Sequence, residues 1–265
     1  TFVDTFSSYL AANQVAKADI WAARDVALLH GEGKAEVPMV VWDSGVDTAL
    51  FGPQVLRQKS GAPQVIAFDK YGRPANGELM PIPKALQGKL PQMTARTKGF
   101  SDLQSNIDSP EAGEVKAFLS TLAPEKYKDT VEEFGLAGNY QHGTHVAGIA
   151  LAGNPQARLI VGRIEFQHTL KPEPCPSREL TLRDARSYQT TVDFFKRHGA
   201  RVVNMSWGGD VKGIESQLEQ CGIGKTSEAR KALAREYYDI GRKALTKAFA
   251  NAPAILFVTA AGNSG

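Results

Sequence analysis

The pattern of apolar and polar positions predicts strands and helices in regular succession along much of the chain. Val37-Pro38-Met39-Val40-Val41-Trp42 is a short apolar run with β-branched content, bounded by Asp43-Ser44-Gly45, and predicts a buried strand with a turn at its carboxyl end. Before it, Phe6, Leu10, Val15 and Ile20 recur at broadly helical spacing and Gly31-Glu32-Gly33 stops the pattern, so the first 30 residues read as helical. From His142 the pattern becomes regular. It predicts a helix over 142–151 stopped by Gly153-Asn154-Pro155, a strand over 158–164, and an amphipathic helix over 181–198 ended by Gly199. A strand over 201–205, a helix over about 227–249 and a strand over 254–259 follow. Strands alternating with helices of this length imply βαβ units, hence an α/β fold of three layers with a mainly parallel sheet and helices on both faces. No internal repeat is visible.

Residues 52–139 interrupt this order. They are rich in Pro, Gly, Lys and polar residues, and read as an elaboration lying on the surface of the core. One strand is predicted there, Val65-Ile66-Ala67-Phe68, together with two helices. The first opens at Ser109-Pro110-Glu111, with Ser as N-cap and Pro at the first helical position, and the second follows Pro124.

Composition narrows the classes. A chain of 265 residues, 42% hydrophobic and 22% charged, is globular and excludes a collagen-like rod or a coiled coil. The balance of 31 Lys+Arg against 28 Asp+Glu leaves a net charge of +3, so no nucleic-acid partner is expected. No apolar run approaches the ~20 residues of a membrane-spanning helix. The opening Thr1-Phe2-Val3-Asp4 has neither a basic nor an apolar signal region, and a start on Thr suggests a longer precursor. Cys175 and Cys221 lie in Pro- or Gly-flanked segments, and leave open either one disulfide or two separate thiols. With no clustered histidine they do not make a zinc site. Gly31-Glu32-Gly33-Lys34 has the wrong spacing and no preceding strand for a phosphate loop, and no Gly-x-Gly-x-x-Gly follows any strand, which argues against dinucleotide binding.

In open parallel sheets chemistry gathers beyond the carboxyl ends of the strands. Asp43-Ser44-Gly45, Ser206-Trp207-Gly208-Gly209 and Ala260-Ala261-Gly262-Asn263 are expected there, and His142-Gly143-Thr144-His145 is expected to open a helix. A carboxylate can fix the tautomer of an imidazole and stabilise the imidazolium it forms. An asparagine amide can donate to a developing oxyanion. Asp43, His142 and Asn263 are therefore parts of an acyl-transfer site that lacks a nucleophile.

Val41-Trp42-Asp43-Ser44-Gly45-Val46-Asp47 resembles the aspartate motif of the subtilisin-like serine peptidases (subtilases). His142-Gly143-Thr144-His145-Val146-Ala147-Gly148 is similar to their histidine motif at all seven positions. Val203-Asn204-Met205-Ser206-Trp207-Gly208-Gly209 resembles the substrate-binding strand, and Ala260-Ala261-Gly262-Asn263-Ser264-Gly265 the oxyanion-hole segment. The resemblance implies a subtilisin-like fold, incomplete at its C-terminal side, and a serine endopeptidase that hydrolyses peptide bonds through an acyl-enzyme. Asp43 would orient the base, His142 would act as general base and acid, and Asn263 would line the oxyanion hole. His145 would be structural. Ser206, Trp207 and Gly208 would pair with the substrate backbone, and Ala260, Ala261 and Gly262 would wall the pocket for the side chain before the scissile bond. Trp207 would shape a more distant apolar subsite or act simply as a packing aromatic.

Three departures from the family pattern matter. No Gly-Thr-Ser nucleophile motif occurs in the 265 residues, so the chain is expected to be an inactive part of a catalytic domain whose remainder supplies the serine. Asp43 and His142 are 99 positions apart, which makes 52–139 an insertion between the two motifs. The calcium-binding loop that follows the histidine helix in many subtilases is missing between Leu151 and Arg158, so no metal and no cofactor are expected. The implied partners are a peptide or protein substrate, a propeptide and the remainder of the same protein, in a secreted or extracytoplasmic setting. The competing reading is a peptide-binding pseudoprotease that keeps the groove without the chemistry.

Overall fold

Alternate residues of the strand Val37–Asp43 (β1) feed two different cores, because successive side chains of a strand point to opposite faces. Val40 and Trp42 join Ile160, Val192, Phe195, Val203, Met205 and Ala248 on one face. Val41 joins Val46, Ala147, Leu151, Leu159 and Val161 on the other. The structure, a computed structural model, describes residues 1–13, 28 and 35–262.

The further strands are β2 (Val65–Phe68), β3 (Pro74–Ala75), β4 (Ala157–Ile164), β5 (Val202–Met205) and β6 (Leu256–Thr259). They form one six-stranded sheet in the order β3-β2-β4-β1-β5-β6. All neighbouring pairs are parallel except the edge pair β2–β3. The helices are α1 (Phe2–Ala12), α2 (Lys84–Gln87), α3 (Leu90–Gln104), α4 (Pro110–Ser120), α5 (Tyr127–Leu151), α6 (Arg178–Arg197), α7 (Val211–Gln220) and α8 (Ser227–Ala250). The two sheet cores put α5 on one face and α6 with α8 on the other. The chain leaves β1 for β2 on one side and β5 for β6 on the opposite side, so the topological switch, and its crevice, lies between the carboxyl ends of β1 and β5.

Local chemistry sets the boundaries. Ser109, Ser177, Asp210 and Thr226 cap α4, α6, α7 and α8, each side-chain oxygen accepting a hydrogen bond from the backbone N–H three residues on. Asp47 caps the 3-10 turn Thr48–Gln54 through the N–H of Ala49. A disulfide joins Cys175 to Cys221, tying the Pro172–Pro176 loop to the end of α7. Edge strand β6 leaves Leu256 62% and Val258 45% exposed.

Several expectations change. His142 does not open a helix: α5 runs unbroken over 25 residues, joining the helix predicted after Pro124 to the one predicted over 142–151. Gly135 lets this helix pack closely: a Cβ there would stand 3.0 Å from the carbonyl oxygen of His168. Three helices went unforeseen, α2, α3 and α7. Residues 52–139 are more than a surface elaboration, since β2 and β3 belong to the central sheet. Strand β6 begins at Leu256, because the N–H of Ile255 closes a turn onto the carbonyl of Ala252. Of the helix predicted over the first 30 residues, α1 is described, whereas Val15, Ile20 and Gly31-Glu32-Gly33 lie outside the described residues. Among the described residues no helix is long and apolar enough to cross a membrane.

Candidate active site

The carboxyl end of β1 delivers Asp43, fully buried, to the face of the sheet covered by α5. The next residues turn sharply, and Gly45 takes a φ of 114°, a region closed to most side chains. This turn is stitched to α5 by three bonds that run in order along both segments. The Nδ1 of His142 donates to Asp43 Oδ1 at 2.7 Å. The N–H of Gly143 donates to Ser44 Oγ at 3.0 Å, and the N–H of Asp47 donates to Thr144 Oγ1 at 3.0 Å. The approach depends on glycine, since a Cβ on Gly143 would stand 2.2 Å from the carbonyl oxygen of Gly45.

A second shelf holds the turn from the other side. Arg163 of β4, in register with Asp43, donates to the carbonyls of Gly77 and Asn76 at 3.1 and 3.2 Å. The following residue, Glu78, accepts from Val46 N–H at 2.8 Å and from Thr48 Oγ1 at 2.8 Å. Residues 76–78 thereby brace the turn that carries the carboxylate.

Asp43 Oδ1 also accepts from the N–H of Ser44 at 2.7 Å, whereas Oδ2 is buried with no partner among the described residues. The carboxylate raises the pKa of His142 through this hydrogen bond, outweighing partial burial, which acts in the opposite direction. The ring is half exposed, and its second nitrogen has no partner among the described residues. An imidazole held through Nδ1 with Nε2 free is set to take a proton from a group placed outside the pair.

The predicted site residues divide into three groups. Asp43 and His142 are brought together, on β1 and in the middle of α5. Ser206, Trp207 and Gly208 follow β5, across the topological switch from Asp43, and lie in no strand. Asn204 Nδ2 donates to Ser206 Oγ at 2.9 Å. Trp207 donates from Nε1 to the carbonyl of Trp42 at 2.6 Å and meets the Trp42 ring edge-on at 5.2 Å. Ala260, Ala261 and Gly262 continue from β6 and are exposed, with the N–H of Ala260 bonded to the carbonyl of Met205 at 3.2 Å. Asn263 lies outside the described residues. His145 is exposed. Among the described residues no group of three His, Cys, Asp or Glu is placed to hold a metal.

Sequence reasoning missed Ser44 and Thr144 as the groups that lock the turn to the helix. Their signal was present, since short hydroxyl side chains beside glycines are apt for backbone contacts. It also missed a cavity of about 510 Å³ between α6, α7 and α8, opening at the carboxyl ends of β5 and β6 beside Trp207.

Comparison with known proteins adds one match. The model of the subtilase family (Peptidase S8) matches residues 41–265. No curated protein and no solved structure matches.

Proposed function

Because the chain belongs to the subtilase family, whose members are serine peptidases, we propose that it carries the base half of a serine endopeptidase triad and the groove that presents a peptide to it. The carrying observation is the 2.7 Å bond from His142 Nδ1 to buried Asp43 with the opposite ring nitrogen free. In this reading a serine hydroxyl attacks the scissile carbonyl while His142 Nε2 takes its proton. Asp43 stabilises the imidazolium, and Asn263 donates to the oxyanion. His142 then protonates the leaving amine, and a water molecule repeats the sequence to free the enzyme.

Ser206, Trp207 and Gly208 lie at the switch crevice beside the Asp–His pair, where an extended peptide could add to the sheet as a further strand. Ala260, Ala261 and Gly262, bonded alongside through Ala260, wall the pocket for the residue before the scissile bond. The disulfide supports a secreted or extracytoplasmic setting, since such bonds persist in oxidising compartments. Residues 52–139 act as an insertion between the two motifs, and a propeptide is a partner of the same site.

The absence of a Gly-Thr-Ser motif from the 265 residues favours no hydrolysis by these residues alone. In subtilisin, removing the serine costs about 10⁶ in turnover. The second reading is a pseudoprotease that binds peptides, and the Asp43–His142 pair weighs against it. A fluorophosphonate probe applied to the protein expressed from its whole reading frame separates them. Labelling that disappears in His142→Ala supports the peptidase. A folded protein that takes no label supports the binding module.

A further inference from the structure

The cavity beside Trp207 is walled by aromatic rings and carries one carboxylate without a counter-charge. Tyr188, Trp207, Tyr237, Tyr238 and Phe249 line it. Its other charged groups are matched. Lys70 pairs with Glu173 at 3.2 Å, and Arg242 pairs with Asp239 at 3.5 Å. Asp184, from the first turns of α6, also lines the cavity; its backbone carbonyl accepts from Ser187 Oγ, whereas its carboxylate has no hydrogen-bond or ion-pair partner among the described residues. Its own neighbour Arg183 is engaged elsewhere, with Glu179 and with the carbonyl of Tyr71.

We propose that this cavity receives a cationic side chain of the peptide substrate, lysine or arginine, with Asp184 as the specificity-determining residue. The inference rests on the peptide groove of the preceding section. A strand laid along Ser206-Trp207-Gly208 sends alternate side chains to either face of the sheet, and the cavity opens beside that segment on the α6–α8 face. Aromatic faces attract a cation, and a desolvated carboxylate completes the site. The volume accommodates a full arginine or lysine side chain.

The charge state of Asp184 agrees with this reading. Burial raises its pKa to about 6, against the opposing influence of Arg183 and with a small push from Asp69 on the β2–β3 hairpin. Lys70 and Glu173, which line the cavity from the hairpin and the Pro172–Pro176 loop, pair with each other, Arg242 of α8 pairs with Asp239, and Glu165 lines a smaller pocket that Asp184 shares. The partly buried Tyr188 has its own pKa raised by desolvation and stays neutral. Above pH 6 Asp184 is thus a carboxylate that no ion pair neutralises.

The test is equilibrium binding to the full protein in a His142→Ala background, which keeps peptides intact. One arginine is scanned along a blocked alanine hexapeptide, each version is compared with its citrulline isostere, and butylguanidinium serves as the free cation. At one register the arginine peptide is expected to bind about ten-fold or more tightly than its isostere, and Asp184→Asn is expected to erase that preference. With Asp184 in place the preference falls by about ten-fold between pH 7.5 and 5, a readout that needs no substitution in the cavity. Peptides that bind with no preference at any register overturn the cationic assignment and leave the peptide groove standing. Butylguanidinium binding that depends on Asp184, with no peptide bound at all, overturns the peptide groove and with it the substrate assignment.

Discussion

The carbonyl oxygen of Gly45 occupies the place where a side chain on Gly143 would begin, 2.2 Å from the position of a Cβ. The turn after Asp43 and the helix carrying His142 are thus held together at a distance that glycine alone permits. Gly148, five residues further along the same helix, has nothing within 4 Å of its Cβ position. Gly143→Ala is expected to destabilise the fold by about 2 kcal/mol or more through overpacking and to break the Asp43–His142 bond. Gly148→Ala is expected to stabilise by about 0.5–1 kcal/mol through helix propensity. Urea denaturation of both variants checks this. Equal effects of the two would show that the contact is not tight.

The hydrogen bond from His142 to Asp43 is the largest cause of the raised histidine pKa, and burial is the opposing one. Asp43→Asn removes the charge and leaves the burial. The His142 pKa is expected to fall, as read from NMR titration of the ring nitrogens. A titration unchanged by the substitution would mean that the two side chains do not interact in solution.

The same pair makes stability depend on pH. A histidine whose folded pKa is raised stabilises the fold in full below its ordinary value of about 6.5, and that contribution disappears as pH rises through the raised value. Solvent screening of the half-exposed ring keeps this contribution small. The stability gap between the natural protein and His142→Ala is expected to be wider at pH 5.5 than at pH 9. A gap that widens with pH would reverse the assignment.

Asp184 acts in the same direction, although here the charged form is the disfavoured one. Its folded pKa of about 6 lies above the ordinary 3.8, so the folded state holds the proton more tightly and loses stability as pH rises between those values. Asp184→Asn is expected to raise the melting temperature at pH 7.5 and to leave it nearly unchanged at pH 4. Calorimetry at the two pH values measures it.

The Cys175–Cys221 disulfide closes a loop of 46 residues that includes all of α6 and β5. Removing it through Cys175→Ser with Cys221→Ser is expected to cost about 2–4 kcal/mol. The loosening should concentrate on the Pro172–Pro176 loop and α7, two walls of the Asp184 cavity, and hydrogen exchange would locate it.

The sheet and its two cores were legible because short β-branched runs buried on both faces leave a continuous apolar signal, as in Val40, Val41 and Trp42. The caps Ser109 and Thr226 were legible for the same local reason. Helix α3 was hidden: its sequence carries little helical periodicity, and it is held by burial of Met93 and Gly99 against neighbouring helices. Helix α7 has apolar residues at Val211, Ile214 and Leu218, a helical spacing, but Gly208-Gly209 before it and Gly213 within it disguised the start. In α5 the close approaches at Gly135 and Gly143 were not legible from sequence. Both glycines are costly to a helix in isolation, and their use appears only when Gly45 and His168 are in place. The Asp–His pair was legible through its motifs, whereas Asp184 belongs to no motif. Its role depends on which aromatic residues, distant in sequence, close around it.

Leu136 and Ala137 are buried against Met80 and Met93, in a small core separate from the two that flank the sheet. They share with His142 an unbroken, proline-free rod, the ring standing about 9 Å further along it at 1.5 Å per residue. The aim of the imidazole is therefore inherited in part from a satellite cluster that supplies no polar group to it. Repacking Met93 would tilt the rod and misalign the base while every residue of the pair remained in place.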